Sequence, residues 1–198
     1  MLSAVLKNIQ NRRSVRLFDD KKIPESAIQT VLQAANHAPS AHNQQSWRFI
    51  VVSGTRKKDL AGLVSKKAAE FPKTSSALLR MAARSISSAP VVVAVVNTGE
   101  MIKHATDLFS LNRENARNFF RTMEIQSSAA AIQNMLLAAS ALGISSVCPG
   151  VLILIKDDVL SFLEETEGEF MAVVPLGYSE KKGTTPPKKS LEAKVKFL

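Results

Sequence analysis

Apolar residues in the first third of the chain recur at helical spacing. Leu2, Leu6 and Ile9 predict a short helix that ends near the Arg12-Arg13 pair. Pro24 suits the first turn of a second helix, because its fixed φ is already helical and its missing N–H is not needed there. The apolar face of this second helix consists of Ala27, Ile28, Val31, Leu32 and Ala35. We therefore expect two helices before the first strand.

Two apolar segments in the middle of the chain predict strands. Residues 47–53 (WRFIVVS) are rich in β-branched and aromatic side chains. Residues 90–96 (PVVVAVV) form a continuous apolar run, which is typical of a central strand covered on both faces. Between them, Thr55 can cap one helix, and Thr74 or Ser75 can begin another. The predicted order here is strand, helix, helix, strand.

The pattern weakens at 98–122, where charged and amide residues interrupt the apolar ones. We interpret this segment as a mobile, partly helical excursion. Residues 123–142 form the longest predicted helix, which is apolar on nearly every face and is followed by Gly143 as a C-terminal cap. A helix without a polar face is expected to be deeply buried, for example between two subunits.

The last third of the chain predicts two more strands, at 151–155 and 170–176, since both runs are apolar. A short helix that Asp157 can cap separates them, and the tail from Thr184 onward is expected to be extended. No repeat or linker interrupts the sequence. We therefore predict a single α+β domain that spans residues 1–198.

Composition narrows the function classes. The chain has 198 residues, 45% of them hydrophobic, which is enough for one sizeable core. Its net charge of +9 suits an anionic partner without distinguishing a nucleic acid, a membrane surface and a phosphorylated ligand. A single Cys excludes an intramolecular disulfide and favours a reducing compartment such as the cytoplasm. The apolar segment 129–142 is too short to span a bilayer, and three separated histidines predict no metal site.

The clearest candidate for ligand binding is the basic segment Arg12-Arg13-Ser14-Val15-Arg16. The chain has no glycine-rich nucleotide motif, no G-x-S-x-G and no H-E-x-x-H. In an extended segment, residues 12, 14 and 16 project to one side, and guanidiniums bind phosphate through paired hydrogen bonds. The segment is therefore a candidate phosphate site. An exposed basic turn without a ligand is the alternative.

Residues 38–47 (APSAHNQQSW) carry more hydrogen-bonding side chains than a turn requires. Six of them follow one another closely: Ser40, His42, Asn43, Gln44, Gln45 and Ser46. Such a series can satisfy the alternating donors and acceptors of a planar polar ligand. Alternatively, Asn43 and Gln45 satisfy only the backbone of the loop. Trp47 is expected to be a core residue.

Several segments, taken together, match a known pattern in order and spacing. They are NRRSVRLFD at 11–19, PESAIQTVLQAA at 24–35, APSAHNQQSWRFIVV at 38–52, SSAAAIQNMLLAASALGISS at 127–146 and VVPLGY at 173–178. The chain resembles the nitroreductase family, the FMN-dependent NAD(P)H oxidoreductases, over most of its length. This resemblance implies an α+β sandwich in which helices flank a mixed, mainly antiparallel sheet, and an intertwined homodimer whose central helix is 127–146.

The resemblance also implies how FMN is held. The family positions that bind phosphate or ribityl oxygens are occupied by Arg12, Arg13 and Ser14. Arg16 takes the position at the pyrimidine edge of the flavin, where a fixed cation stabilises the negative charge of the reduced ring. The family's polar loop meets a flavin at the subunit interface and corresponds to Pro39, Ser40, Ala41, Asn43 and Gln45.

The remaining parts of the implied site come from the second half of the chain. Pro149 and Gly150 occupy the loop that approaches the flavin ring, and the tail positions that contact phosphate are Lys188 and Lys189, for which a solvated pair is the alternative. The segment that shapes the substrate pocket in the family carries Phe109, Phe119 and Phe120, for which core packing is the alternative.

Three departures from the family pattern stand out: Ala41 replaces a serine, Ser46 replaces a proline, and Ser127 stands where an acidic residue is frequent. We interpret Cys148 as a small buried hydrophobe rather than a redox residue. His42 and His104 have no identifiable catalytic partner and are assigned no role in catalysis.

The implied reaction is ping-pong. NAD(P)H delivers hydride to N5 of FMN, and a nitroaromatic, quinone or similar electron-poor acceptor then takes the electrons. No protein acid or base is needed, because the cofactor carries the chemistry. Two alternatives stay open: another flavin reaction on the same scaffold, such as dehalogenation or flavin fragmentation, and a non-catalytic basic module that binds flavin or nucleic acid. We expect no specific nucleic-acid partner, membrane or metal.

Overall fold

The computed structural model describes residues 3–106, 113–180 and 185–198. The two predicted N-terminal helices are confirmed as α1 (Ala4–Asn11) and α2 (Glu25–Asn36). Ser3 caps α1, since its Oγ accepts a hydrogen bond from the N–H of Leu6 at 3.3 Å. Pro24 stands at the N-cap position of α2, as its fixed φ allows.

A four-stranded antiparallel sheet forms the centre of the fold. Its strands are β1 (Trp47–Ser53), β2 (Val91–Asn97), β3 (Ser145–Ser146) and β4 (Glu169–Gly177), in the order β1-β2-β4-β3. An isolated parallel bridge joins Ser14 to Ser146. The sheet is therefore antiparallel throughout with one parallel bridge at its edge, in agreement with the expected α+β class.

Helices cover both faces of the sheet. They are α3 (Gly54–Lys67), α4 (Lys73–Ser88), α5 (Glu100–Thr106), α6 (Arg113–Ala141) and α7 (Lys156–Phe162). Every residue of β2 is buried, and its side chains alternate between two cores. Val92, Ala94 and Val96 pack with α3, α4 and α7, whereas Val91, Val93 and Val95 pack with α2 and α6. This confirms the predicted central strand.

One predicted strand is wrong. Residues 151–155 form part of a 3₁₀ helix, Gly150–Ile155, which begins after Pro149. Leu152 and Ile155 are buried, whereas Ile153 and Leu154 are exposed. This three-residue spacing suits one helical turn, and a short apolar run does not by itself distinguish a strand from a helix.

Several helix boundaries also differ from the predictions. The longest helix begins at Arg113 rather than at residue 123, so α5 and the start of α6 provide the helical parts of the segment 98–122. Ser53, not Thr55, is the N-cap of α3, and Asp157 lies inside the first turn of α7. Strand β3 was not predicted, because two residues give no periodic signal.

Gly143 ends α6 as the sequence predicted. Its φ of +70° lies in the left-handed region, which glycine adopts without strain. The N–H of Gly143 donates to the carbonyl of Ser140 at 3.1 Å, and the N–H of Ile144 donates to that of Ala139 at 2.8 Å. Among the described residues, no helix combines the length and apolarity needed to cross a bilayer.

The packing of Phe18 against the sheet can be tested at Gly177. A Cβ at this position would lie 2.8 Å from Cβ of Phe18 and 2.8 Å from Cδ of Pro90. We expect Gly177→Ala to destabilise the protein by about 1–3 kcal/mol, as overpacking does. Gly62→Ala in α3 is the control, because nothing lies within 4 Å of its Cβ. Urea unfolding should show a loss only for Gly177→Ala.

Candidate functional site

The segment 12–16, here called the arginine segment, lines a basic cavity with the C-terminal tail. The cavity has a volume of about 800 Å³ and is lined by Ile9, Gln10, Arg12, Arg13, Ser14, Arg16, Thr185, Pro186 and Lys188. None of these residues is acidic. Three guanidiniums and one ammonium in one cavity suit a phosphate group. Lys189 is exposed and is not among the residues that line it.

Backbone and side-chain hydrogen bonds fix the arginine segment beside the sheet. The N–H of Val15 donates to the carbonyl of Ser146 at 3.0 Å, which continues the bridge at Ser14. On the other side, Oγ of Ser85 near the end of α4 donates to the carbonyl of Arg16 at 2.8 Å. The segment is therefore anchored by β3 and α4 through its main chain, which leaves its side chains available to the cavity.

The three arginines differ in their partners. Nη1 of Arg13 donates to the carbonyls of Gln10 at 2.6 Å and Arg12 at 2.9 Å, and Nη2 donates to Oγ1 of Thr185 at 2.5 Å. Arg13 thus closes the end of α1 and holds the tail. Among the described residues, no salt bridge forms with Arg12 or Arg16. These two cations retain their capacity to bind an anion.

Arg16 also connects the basic cavity with the loop after β3. A smaller cavity of about 190 Å³ is lined by Arg16, Leu78, Met81, Ala82, Ser85, Val147, Cys148, Pro149, Gly150 and Val151. The structure therefore brings Pro149 and Gly150 together with Arg16, as the resemblance implied. A Cβ on Gly150 would have nothing within 4 Å, so the space in front of this glycine is open.

Cys148 corrects an interpretation of the sequence. Its side chain is exposed, so it is not a buried hydrophobe of the core. The thiol lines the same small cavity as Arg16 and Met81. Partial burial still disfavours the thiolate and raises the pKa of Cys148, which keeps the thiol protonated at neutral pH.

Residues 38–47, here called the polar loop, have an unusual backbone. Ala41–Asn43 form a short 3₁₀ turn, and three residues have positive φ: His42 (+50°), Asn43 (+54°) and Gln45 (+51°). Asn and His tolerate this conformation better than most residues, whereas Gln adopts it less readily. Packing at the end of the loop compensates, since Trp47 is buried, as predicted, and its Nε1–H donates to Oδ1 of Asn36 at 3.0 Å.

Within one chain, the amides of the polar loop bond mainly to the loop itself. Nε2 of Gln45 donates to Oδ1 of Asn43 at 3.1 Å and to its carbonyl at 3.3 Å. Oγ of Ser40 accepts from the N–H of Gln45 at 3.0 Å. The N–H of Ala41 donates to Oγ of Ser127 in α6 at 3.2 Å. Asn43 and Gln45 remain exposed beyond these bonds, as does Pro39.

The arginine segment and the polar loop lie at opposite ends of the sheet. The polar loop leads into Trp47, which pairs with Asn97 at the end of β2. Phe18, beside the arginine segment, packs near Pro90, which precedes the start of β2. Seven residues of strand separate these ends, a length of about 20 Å at about 3.4 Å per residue. The two segments therefore do not form one site within a single chain.

The aromatic residues assigned to a substrate pocket differ in their exposure. Phe109 lies outside the described residues. Phe119 is 46% exposed, whereas Phe120 is fully buried with Met101 and Ala116, which favours the alternative of core packing for Phe120. The two rings meet edge to face at 5.1 Å between centroids.

A buried polar cluster beneath the polar loop was missed from the sequence. It contains Glu124 and Ser128 of α6 and Asn97 of β2, all at most 2% exposed. Oγ of Ser128 hydrogen-bonds with Oδ1 of Asn97, and Oε1 of Glu124 accepts from the N–H of Met101 at 2.8 Å. One signal was available: Glu124 is a lone carboxylate within the apolar stretch of the longest helix.

Comparison with known proteins identifies the family. The sequence profile described as the nitroreductase family matches residues 9–178. This chain belongs to the nitroreductase family. A relative from Archaeoglobus fulgidus is 31% identical over 178 residues, which cover 87% of this chain and 84% of the relative; its name proposes NADH dehydrogenase or NAD(P)H nitroreductase activity. Family membership classes the protein as an oxidoreductase.

Solved structures share the fold. A nitroreductase from Bacteroides fragilis with bound FMN is 23% identical and has a TM-score of 0.73, with 100% of both chains covered. A nitroreductase from Desulfitobacterium hafniense with bound FMN is 22% identical, also with a TM-score of 0.73 and 100% of both chains covered. The nitroreductase fold of this chain is therefore confirmed.

The contribution of α6 to the stability of the polar loop can be tested at Ser127. Its hydroxyl accepts from the N–H of Ala41 and donates to the carbonyl of Met123 at 2.7 Å. We expect Ser127→Ala to cost about 1 kcal/mol of unfolding free energy, the contribution of a typical hydrogen bond. Thr122→Ala is the matched control, because that hydroxyl donates to the carbonyl of Asn118 in its own helix at 2.8 Å. A similar loss in both variants in urea unfolding would contradict this role for Ser127.

Proposed function

We propose that the protein is an FMN-dependent oxidoreductase that takes electrons from NAD(P)H and passes them to an electron-poor acceptor such as a nitroaromatic or quinone. The observation that carries the proposal is the basic cavity, where Arg12, Arg16 and Lys188 face a space free of acidic lining residues. Family membership and the FMN bound in the two related structures support it. A reducing compartment such as the cytoplasm suits the single Cys.

The residues present fit FMN. Arg12 and Lys188 would hold the phosphate in the basic cavity, and Ser14 and Arg13 lie beside it. Arg16 lines both this cavity and the smaller one at Pro149 and Gly150, so its guanidinium would lie beside a ring that extends from that phosphate. The space in front of Gly150 leaves room for close approach of a flat ring to the backbone.

Bound FMN would supply hydride acceptance from NAD(P)H and electron transfer to the acceptor in a ping-pong sequence. The chain itself contributes binding, orientation and charge. Arg16 would place a cation near the ring and would stabilise developing negative charge there without moving a proton. The arginine segment is anchored through its main chain at Val15 and Arg16, so the backbone that carries this cation is fixed before the ligand binds.

We further propose that the complete site needs two copies of the chain. The polar loop lies at the far end of its own sheet, so it can meet the arginine segment only across a subunit interface. Exposed apolar side chains support a homodimer: α1 buries none of its residues and exposes Val5, Leu6 and Ile9, and the tail exposes Leu191, Val195 and Phe197. In this arrangement the amide side chains of one polar loop would face the basic cavity of the partner chain.

The first experiment is to purify the protein, load it with FMN, and add NADH or NADPH without oxygen. The flavin absorbance should bleach and return when a nitroaromatic is added. A colourless protein that cannot be loaded with FMN would instead favour a basic module without flavin. A yellow protein that neither nucleotide bleaches would indicate a flavin carrier rather than an enzyme.

The two arginines should have separable effects. Arg12→Ala should weaken FMN binding about 10- to 150-fold, because a hydrogen bond to a charged group contributes about 1.5–3 kcal/mol. Arg16→Ala should slow reduction by NAD(P)H more than it weakens FMN binding. Arg56→Ala is the control for loss of charge, since its guanidinium is paired with Glu164 at 3.1 Å. Equal effects of the Arg12 and Arg16 variants on binding and reduction would refute this division.

Mixing variants tests the shared site. A chain with Arg12→Ala and Arg16→Ala and a chain with Asn43→Ala and Gln45→Ala should each bind FMN poorly alone. After random mixing, heterodimers contain one intact site, so about one quarter of all sites should regain FMN binding in a two-fold symmetric dimer. Bound flavin per chain measures this recovery. Mixed samples that bind no more than the average of the two variants would place the site within one chain.

A further inference from the structure

Glu124 holds two segments that flank the candidate site. The carboxylate lies in α6, one helical turn before Ser127, and is 2% exposed. Its Oε1 accepts from the N–H of Met101 in the first turn of α5, and the N–H of Ile102 is a second donor. The side chain of Ser46, the last residue of the polar loop before Trp47, is a further polar neighbour. One carboxyl group therefore connects α5, α6 and the polar loop.

The carboxyl group is not fully satisfied. Oε2 is buried and has no hydrogen-bond partner among the described residues, and the same is true of Oγ1 of Thr98 in the same region. The main chain of Thr98 contacts the polar loop directly, since its N–H donates to the carbonyl of Ser46 at 3.1 Å. A buried charged oxygen without a partner is costly, whereas a protonated one carries no charge and can donate.

The electrostatic surroundings agree with this reading. Burial raises the pKa of Glu124, which outweighs the donors from Met101, Ser46 and Ile102 that lower it. Glu169 of β4 raises the pKa further, although it is itself paired with Arg121 at 2.5 Å. An adjacent cavity of about 280 Å³ contains the other charged groups that face Glu124 from α6, α7 and the start of β4: Arg117, Arg121, Lys156, Asp157, Glu167 and Glu169.

We propose that Glu124 is a positioning residue for the polar loop. While its carboxyl group is neutral, the loop stays packed against α6, which we call the closed state. When the carboxyl group ionises, the loop loosens. The closed loop keeps the carboxyl group away from water, and lifting Ser46 away from α6 would hydrate it. A state that disfavours the charged form binds a proton more tightly than the open state does. Rising pH therefore shifts the loop toward the open state.

This inference rests on the proposed function in one respect: the loop that Glu124 holds is the one proposed to receive the partner's FMN. Loosening of the loop should weaken FMN binding as pH rises. One proton limits the change to about tenfold in dissociation constant per pH unit. The proton linkage itself does not depend on flavin, because it exists in the protein alone.

Trp47 provides a readout that does not require FMN. It is the single Trp of the chain, and it lies buried directly after Ser46. In the full chain without flavin, its emission should move to longer wavelength as pH rises, with an inflection above the ordinary pKa of glutamate. Glu124→Gln, which keeps an acceptor for Met101 but cannot ionise, should abolish this inflection. An inflection that persists in Glu124→Gln overturns the proposal, as does a wild type without one.

Two further variants separate the proposal from simpler explanations. His42→Gln should leave the inflection in place, because the imidazole of the loop is not its source. Ser46→Ala removes a neighbour that favours the charged form, so it should move the inflection to higher pH. A shift to lower pH in Ser46→Ala would contradict the assignment even if Glu124→Gln failed to fold.

FMN binding by the same variants completes the test. The phosphate of FMN also titrates near about pH 6, so the informative quantity is the ratio of dissociation constants for wild type and Glu124→Gln. This ratio should rise with pH. A constant ratio together with a normal Trp47 inflection would mean that Glu124 controls the polar loop without affecting FMN binding. Failure of both proteins to bind FMN at any pH would refute the proposed function, while the Trp47 titration still decides the role of Glu124.

Discussion

The antiparallel pairing of β2 with β1 and β4 is the constraint on which the arrangement of the site depends. Because β2 runs between two neighbours of opposite direction, whatever precedes β1 lies at one end of the sheet and whatever precedes β2 lies at the other. The polar loop enters the first end, and the arginine segment packs at the second. The proposed pairing of two chains follows from this geometry, since no rearrangement of side chains closes a gap of about 20 Å.

The same strand also determines how the helices pack. Alternate residues of β2 face opposite cores, so a single continuous apolar run holds α2 and α6 on one side and α3, α4 and α7 on the other. Fully burying one such valine contributes about 1.5–3 kcal/mol. This packing fixes the positions of the residues at both ends of β2. The two parts of the candidate site thus rest on one rigid layer, which favours preorganised binding over adaptation.

Much of this could be predicted from the sequence, and the exceptions have physical causes. Strong periodicity at 24–35 and continuous apolarity at 90–96 identified α2 and β2, and the order of the motifs identified the family. The run 151–155 was misassigned, because five apolar residues fit a helical turn as well as a strand. Glu124 was missed because its importance comes from contacts with Met101 and Ser46, which are distant in sequence. Cys148 was misplaced because residue type alone does not determine exposure.

The placement of Cys148 also bears on how the protein withstands oxidants. Its sulfur shares a cavity with a guanidinium, so oxidation to a sulfinate would put a permanent anion beside Arg16, the cation proposed to face the flavin. Peroxide reacts with thiolates far faster than with thiols, and partial burial raises the pKa of Cys148, which favours the less reactive thiol form. This exposed sulfur is therefore expected to react slowly with peroxide, although it lies beside a cation of the candidate site.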